Sequence, residues 1–214
     1  MYEDVRTAVY GSDATPYVEP VIGHSPITIK NKQIKKKNAE TYIGRAVSDA
    51  IKLTTKSDIA LITTSELLAG IKKGDVTAPM IKQVIGEQYI IVRKKIKGAD
   101  IKKMLEKSID YMLKDKTKYS AKTLQLAGLT VTYKASAKKG KRIKKIMVGK
   151  KAINNNKTYK VAMDYATAYQ KPYSGYGEVN EKAKEKYWDK ALETYFNKSS
   201  SYIKKSVKQD RYIS

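Results

Sequence analysis

The chain has 214 residues, 41% apolar and 30% charged, which suits one domain with a substantial core. Basic residues outnumber acidic ones 44 to 21, and the net charge of +23 draws the chain toward polyanions. With no cysteine and a single histidine, disulfides, thiolate nucleophiles, sulfur-ligated zinc and paired-histidine metal centres are excluded.

Residues 1–19 hold Gly11, Ser12, Asp13 and Pro16 with little periodicity and read as a linker or frayed lead-in, with the domain running over 20–214. Val21 to Ile29 reads as a strand or strand pair broken at His24-Ser25-Pro26, which makes His24 a surface or turn residue. Asn38 is placed to cap the next helix, with Glu40 in its first turn. Tyr42, Ile43, Ala46, Val47, Ala50 and Ile51 then repeat at helical spacing and form one apolar face. Ile59 to Ile62 is wholly apolar, as a buried strand requires. Gly74 to Thr77 reads as a turn, with Thr77 capping a helix through Ile85.

Tyr89 to Ile96 is a second strand, and Gly98-Ala99-Asp100 opens a helix with Ile101, Met104, Leu105 and Ile109 on one face. Leu124–Thr132, Ile143–Val148 and Lys157–Met163 read as strands, with Gly149-Lys150-Lys151 as a turn. Glu181 to Phe196 reads as a helix with Tyr187, Ala191, Leu192 and Tyr195 inward. Strands and helices alternate irregularly, so the pattern predicts an α+β sandwich of layered sheets and helices rather than a doubly wound sheet.

The charge excess is lysine, since arginine occurs only at Arg6, Arg45, Arg93, Arg142 and Arg211. Lysine lacks the bidentate fork of dedicated phosphate or base recognition, and the lysines are spread along the whole length. They read as a solvated surface with no specific nucleic-acid partner, open to polyanionic cell-surface material. No apolar run spans a bilayer, and Met1 is followed by a polar segment without the apolar core of a signal peptide, so the chain is expected to be a piece of something longer.

In this order and spacing the chain resembles the C-terminal domain of the 5′-nucleotidase / UDP-sugar hydrolase family. Glu40, Ile43, Gly44, Asp49 and Ala50 resemble its Glu-x-x-hydrophobic-Gly-x-x-x-x-Asp-Ala helix. Ser57 to Leu61 resembles its Ala-Asp-hydrophobic-Ala-hydrophobic strand, and Lys73 to Thr77 its Ala-Gly-Asp-hydrophobic-Thr turn. Lys97 to Asp100, Ala127 to Tyr133 and Lys157 to Ala162 resemble three further family segments. Tyr195 and Asp210-Arg211-Tyr212-Ile213 are similar to its closing pattern.

The resemblance implies the layered α/β sandwich of that domain and an extracellular or cell-surface setting. It also implies a division of labour: a separate N-terminal domain holds divalent metals and the catalytic residues, while the C-terminal domain clamps nucleotide or nucleoside. On that reading this chain carries no catalytic residue, metal or cofactor of its own and does not hydrolyse a phosphate ester alone.

The family's clamp positions are refilled. Its phosphate-gripping arginine is Lys37 here, and its Asn-Gly-Gly-Gly-Ile-Arg turn is Thr63 to Leu68, with Thr63 for asparagine and Leu68 for arginine. Its Pro-Phe-Gly-Asn segment becomes Gly86-Glu87-Gln88-Tyr89, which puts Glu87 where a ring stacks on the base. Its Gly-Gly-Asp-Gly-Tyr loop becomes Pro172-Tyr173-Ser174-Gly175-Tyr176, without the aspartate of the ribose side. The substrate-binding positions implied by resemblance are therefore Lys37, Thr63, Leu68, Glu87, Tyr89, Tyr169, Tyr173, Ser174 and Gly175, in a rewritten ligand site. Tyr165, Tyr169, Tyr173 and Tyr176 either offer stacking faces or use tyrosine for ordinary packing in a chain with 17 tyrosines and one phenylalanine.

Overall fold

The computed structural model describes residues 18–35, 38–86, 90–114, 121–180 and 186–214. In chain order the strands are β1 (Val21–Ser25), β2 (Gln33–Lys35), β3 (Asn38–Thr41), β4 (Ile59–Thr63), β5 (Gly74–Thr77) and β6 (Val92–Lys97). They continue with β7 (Leu124–Ala127), β8 (Leu129–Tyr133), β9 (Ile143–Val148), β10 (Lys151–Ala152), β11 (Thr158–Met163), β12 (Glu178–Val179) and β13 (Tyr212–Ile213). The helices are α1 (Tyr42–Thr55), α2 (Ala78–Ile85), α3 (Gly98–Lys114), α4 (Tyr165–Tyr169), α5 (Trp188–Phe196) and α6 (Ser200–Lys208).

The α+β sandwich is as the pattern predicts. A five-stranded sheet runs β12-β6-β11-β4-β7, and a four-stranded sheet runs β10-β9-β8-β13. Strand alternation divides the core in two. Ala60, Ile62 and Ala162 face a cluster built from α1, α2, α5 and α6, whereas Ile59, Leu61, Val161 and Met163 face one built from α3, β8 and β9. Gly44 lets α1 lie directly on β7, because a Cβ there would sit 2.1 Å from Gln125 Oε1.

Several local expectations change. Thr41, not Asn38, caps α1, its hydroxyl accepting from the Gly44 N–H at 2.9 Å. Asn38 lies in β3, and Glu40 is drawn out of the helix because its carboxylate has buried partners elsewhere. Gly74–Thr77 is a strand rather than a turn, pairing antiparallel with β1, so exposed His24 sits on a strand opposite Asp75. The run from Leu124 is split at Gly128, whose φ of +78° turns the chain from one sheet into the other. Tyr187 is 40% exposed, not inward. Helix α6 and strand β13 follow the last element expected from the sequence, and residues 181–185 of that expected helix lie outside the described residues.

Those C-terminal elements are held by a buried ionic cluster. Glu40 is 0% and Arg45 1% exposed, and Arg45 Nε and Nη2 donate to the two Glu40 oxygens at 3.1 Å. Arg45 also donates to Asp210 Oδ1 at 2.7 Å and to the Val207 carbonyl at 3.0 Å. Glu40 in turn accepts the backbone N–H groups of Arg211 and Tyr212. Beside this cluster Arg211 pairs with Asp49 at 2.7 Å. Burial works against the Arg45 charge, but bonding and charge from Glu40, then Asp210, hold its pKa above the ordinary value.

Arg45→Met is expected to cost about 3–5 kcal/mol in urea unfolding, because it leaves the Glu40 carboxylate buried without its cation. A loss below about 1 kcal/mol would show that water reaches and solvates that carboxylate.

Candidate functional site

Strands β4 and β11 are parallel, with Ile59 beside Val161 and Leu61 beside Met163, so both run out at the same end of the sheet. The chain leaves β4 through a single 3₁₀ turn, Thr64–Glu66, and leaves β11 through Asp164 into α4. Loops at the carboxyl ends of parallel strands are where α/β sheets place ligands.

Asp164 organises this end. It is fully buried, caps α4 by accepting the Thr167 N–H at 2.6 Å, and accepts the Thr63 N–H at 2.8 Å. Burial raises its pKa to about 6 against the bonds from Thr167 and Thr63, and nearby Glu66 pushes it the same way. On the following helix Tyr165 and Tyr169 are 53% and 48% exposed, with ring centroids 4.8 Å apart and planes tilted by 47°. Both rings therefore face solvent instead of packing inward.

The turn after β4 has structural work in place of glycines. Thr64 Oγ1 accepts from Gln125 Nε2 at 2.8 Å and donates to the Thr123 carbonyl, and the Ser65 N–H donates to the Ala121 carbonyl. The Ser65 hydroxyl reaches Thr63 Oγ1 at 3.2 Å and Glu66 Oε1 at 3.1 Å. Thr63 is buried, while Leu68 is 63% exposed with its side chain against Gly86. The turn thus presents Glu66 and Leu68 and no cation.

The loop after α4 is anchored from beneath. Tyr173 is 1% exposed, and its hydroxyl donates to the Lys122 carbonyl at 2.7 Å. Its ring is committed to the core, which removes it as a stacking face. Lys94, 4% exposed, reaches up from β6 and donates to the carbonyls of Ala168, Ser174 and Tyr176 at 3.0–3.1 Å. Burial lowers the Lys94 pKa, and these three carbonyls share its charge. Ser174 thus contributes its carbonyl to the anchor, and Gly175 is exposed with open space around it.

Of the positions implied by resemblance, Thr63, Leu68 and Tyr169 belong to the loops at this end, while Tyr173, Ser174 and Gly175 follow on the anchored loop. Lys37, Glu87 and Tyr89 lie outside the described residues. Lys94 and Asp164 were missed. Lys94 had a signal: in Val92–Lys97 the alternating inward positions are 92, 94 and 96, and a lysine there needs buried acceptors. Asp164 also had one, as a strand-ending Asp three residues before Thr167. Among the described residues no three histidine or acidic side chains gather as a metal site.

Because the folded-state pKa of Asp164 lies above its unfolded value, ionisation weakens the fold as pH rises through that interval. Relative to Asp164→Asn, the wild-type chain is expected to lose up to about 3 kcal/mol between about pH 4 and pH 6, measured by urea unfolding. A stability difference that stays flat across this interval would show that the carboxylate is not desolvated.

Three solved structures share the fold at low identity. A 5′-nucleotidase precursor of Thermus thermophilus superposes with a TM-score of 0.68 at 17% identity, over 91% of this chain and 37% of that one. The NAD nucleotidase of Haemophilus influenzae gives 0.66 at 17% identity, over 99% and 39%. The sulfate thiohydrolase SoxB of Thermus thermophilus gives 0.68 at 14% identity, over 99% and 36%. The chain thus spans less than two-fifths of the length of each of these proteins. No curated protein sequence matches it. The family model for the 5′-nucleotidase, C-terminal domain matches residues 21–171, which include α1, β4 and the strand that leads to Asp164. With the sandwich, the parallel β4–β11 pair and helix α1 following Glu40 in place, the chain belongs to the 5′-nucleotidase C-terminal domain family.

Proposed function

We infer that this chain is the substrate-recognition domain of a nucleotidase-like protein, with a ligand edge rewritten to read a planar, uncharged group rather than to grip phosphate. The observation that carries this is the exposed Tyr165–Tyr169 pair at the end of the sheet, beside a β4 turn that offers Glu66 and Leu68 and no cation. Aromatic faces stack on nucleobases whatever their hydrogen-bonding pattern. An acidic turn repels a phosphate placed where the family's arginine would hold it.

Catalysis in this reading belongs to a separate metallophosphatase domain, as the family resemblance implies, since a single histidine cannot supply a histidine-rich dinuclear centre. The setting is the cell exterior or surface, as the family resemblance implies. The structure has, among the described residues, no helix long and apolar enough to cross a membrane.

Calorimetric titration with adenosine and AMP at physiological salt tests the reading. Adenosine is expected to bind at least as tightly as AMP, and Tyr169→Ala is expected to cost about 1–3 kcal/mol of that affinity. Much tighter binding of AMP, unaffected by loss of either tyrosine, would refute it.

A second reading, binding to a polyanionic surface, has its own observation. In the five-stranded sheet Lys95 lies directly opposite Lys160, and both are exposed, with Lys97 further along the same face of β6. Like charges in register destabilise a strand pair. Glu178 opposes Lys95 on its other side without forming an ion pair among the described residues. Arg93, on the same face, has its pKa lowered by burial and no acidic partner among the described residues. Heparin retention is expected to fall steeply with salt, and Lys95→Ala with Lys160→Ala is expected to elute earlier. Unchanged elution of that double variant would exclude this face.

A further inference from the structure

At the end of the five-stranded sheet away from Thr63, a pocket of about 340 Å³ opens between the second half of α1, the β7–β8 junction, the end of β9 and α6. Arg211 forms part of its wall and is 4% exposed. Its Nη2 donates to Asp49 at 2.7 Å, while its Nε is buried with no acceptor. A guanidinium carries five N–H donors in a rigid fork, so most of this one's capacity is unspent.

The remaining charge on the wall is one-sided. Asp49 is the acid, and its carboxylate is already met by Arg211 and by the Ser206 hydroxyl at 2.6 Å. Lys52 and Lys205 also line the pocket, and neither makes an ion pair among the described residues. Asp49 also feels the charge of Lys52, and one acid against three cations leaves the wall with a net charge of +2. Part-buried Leu53 and the ring of Tyr202, 38% exposed, add an apolar side.

We propose that this pocket binds a small organic dianion with a compact apolar body, its charged group held by Arg211, Lys52 and Lys205 and its body against Tyr202 and Leu53. A net wall charge of +2 fits two negative charges, and a planar guanidinium fork binds oxyanions more selectively than lysine alone. The volume lies near the lower end of the range for small-molecule sites, which excludes a dinucleotide or a polymer chain as the occupant. The site is separate from the Tyr165–Tyr169 edge, since α1 ends and β4 begins on this side while the tyrosines follow the carboxyl end of β11. Because Arg211 also stands in the segment that carries β13, occupancy stabilises the fold.

Phenyl phosphate is the probe, with benzoate and inorganic phosphate as comparison arms, titrated into the whole chain and followed by ¹H–¹⁵N NMR at physiological salt. Saturable shifts are expected at the Gly128 and Gly149 amides and at the Arg211 Nε–H. Phenyl phosphate should bind more tightly than benzoate, which has one charge, and than inorganic phosphate, which has no apolar body. Lys52→Ala with Lys205→Ala should weaken phenyl phosphate by about tenfold or more while the melting temperature holds. Lys205→Glu, at an exposed position, should weaken it too without loss of packing. Shifts that spread over the surface lysines without saturating would overturn the proposal, as would unchanged affinity in these variants. Benzoate binding as tightly as phenyl phosphate would overturn the two-charge assignment.

Discussion

The buried pair of Arg45 and Glu40 is the contact on which the first helix and the last strand both depend. Two charges taken out of water are tolerable only when nearly every donor and acceptor is matched. Here the matching groups come from far along the chain: the Val207 carbonyl, the Asp210 carboxylate and the backbone N–H groups of Arg211 and Tyr212. Tyr212 then carries the cluster into the other half of the core, where its hydroxyl donates to the Leu124 carbonyl and meets the Ser108 hydroxyl at 2.7 Å. The four-stranded sheet receives β13 beside β8 because this cluster delivers it there.

That dependence explains which parts of the chain keep the family's pattern. Glu40, Gly44, Asp49, Asp210 and Arg211 each bear on packing: as members of the ionic cluster, as its neighbouring pair, or as the close approach of α1 to Gln125. None of them lies at the β4–β11 loop end. The loops there can change without touching the cluster. The Thr64 hydroxyl donates to the Thr123 carbonyl and the Ser65 N–H to the Ala121 carbonyl, which ties the β4 turn to the segment leading into β7. Fold and ligand chemistry are thereby separable, as the shared sandwich of a nucleotidase precursor and a sulfate thiohydrolase also illustrates.

Much of the scaffold was legible because its signals are local. The α1 face, the apolar β4 run and the α3 face follow from spacing alone, and each is buried as its period requires. The misjudged places are those where a distant partner outweighs a local preference. Asn38 is a good cap by type, but Glu40 is pulled into the ionic cluster, and the helix starts after Thr41 instead. For Tyr165 and Tyr169 the spacing left a core face and an exposed face both open, and the short α4 with its loop anchored by Lys94 and Tyr173 leaves both rings partly in solvent.

Sequence by itself determined the family and the layered α+β class, because these depend on residue type and order. Tertiary structure decided which side chains are available to do chemistry. It sank Tyr173, exposed Tyr169, buried Asp164 until its pKa rose, and left the Arg211 Nε without an acceptor at a pocket with a net positive wall. Burial and charge pairing are properties of neighbours, and the neighbours of Asp164, Lys94 and Arg211 come from segments dozens of residues away.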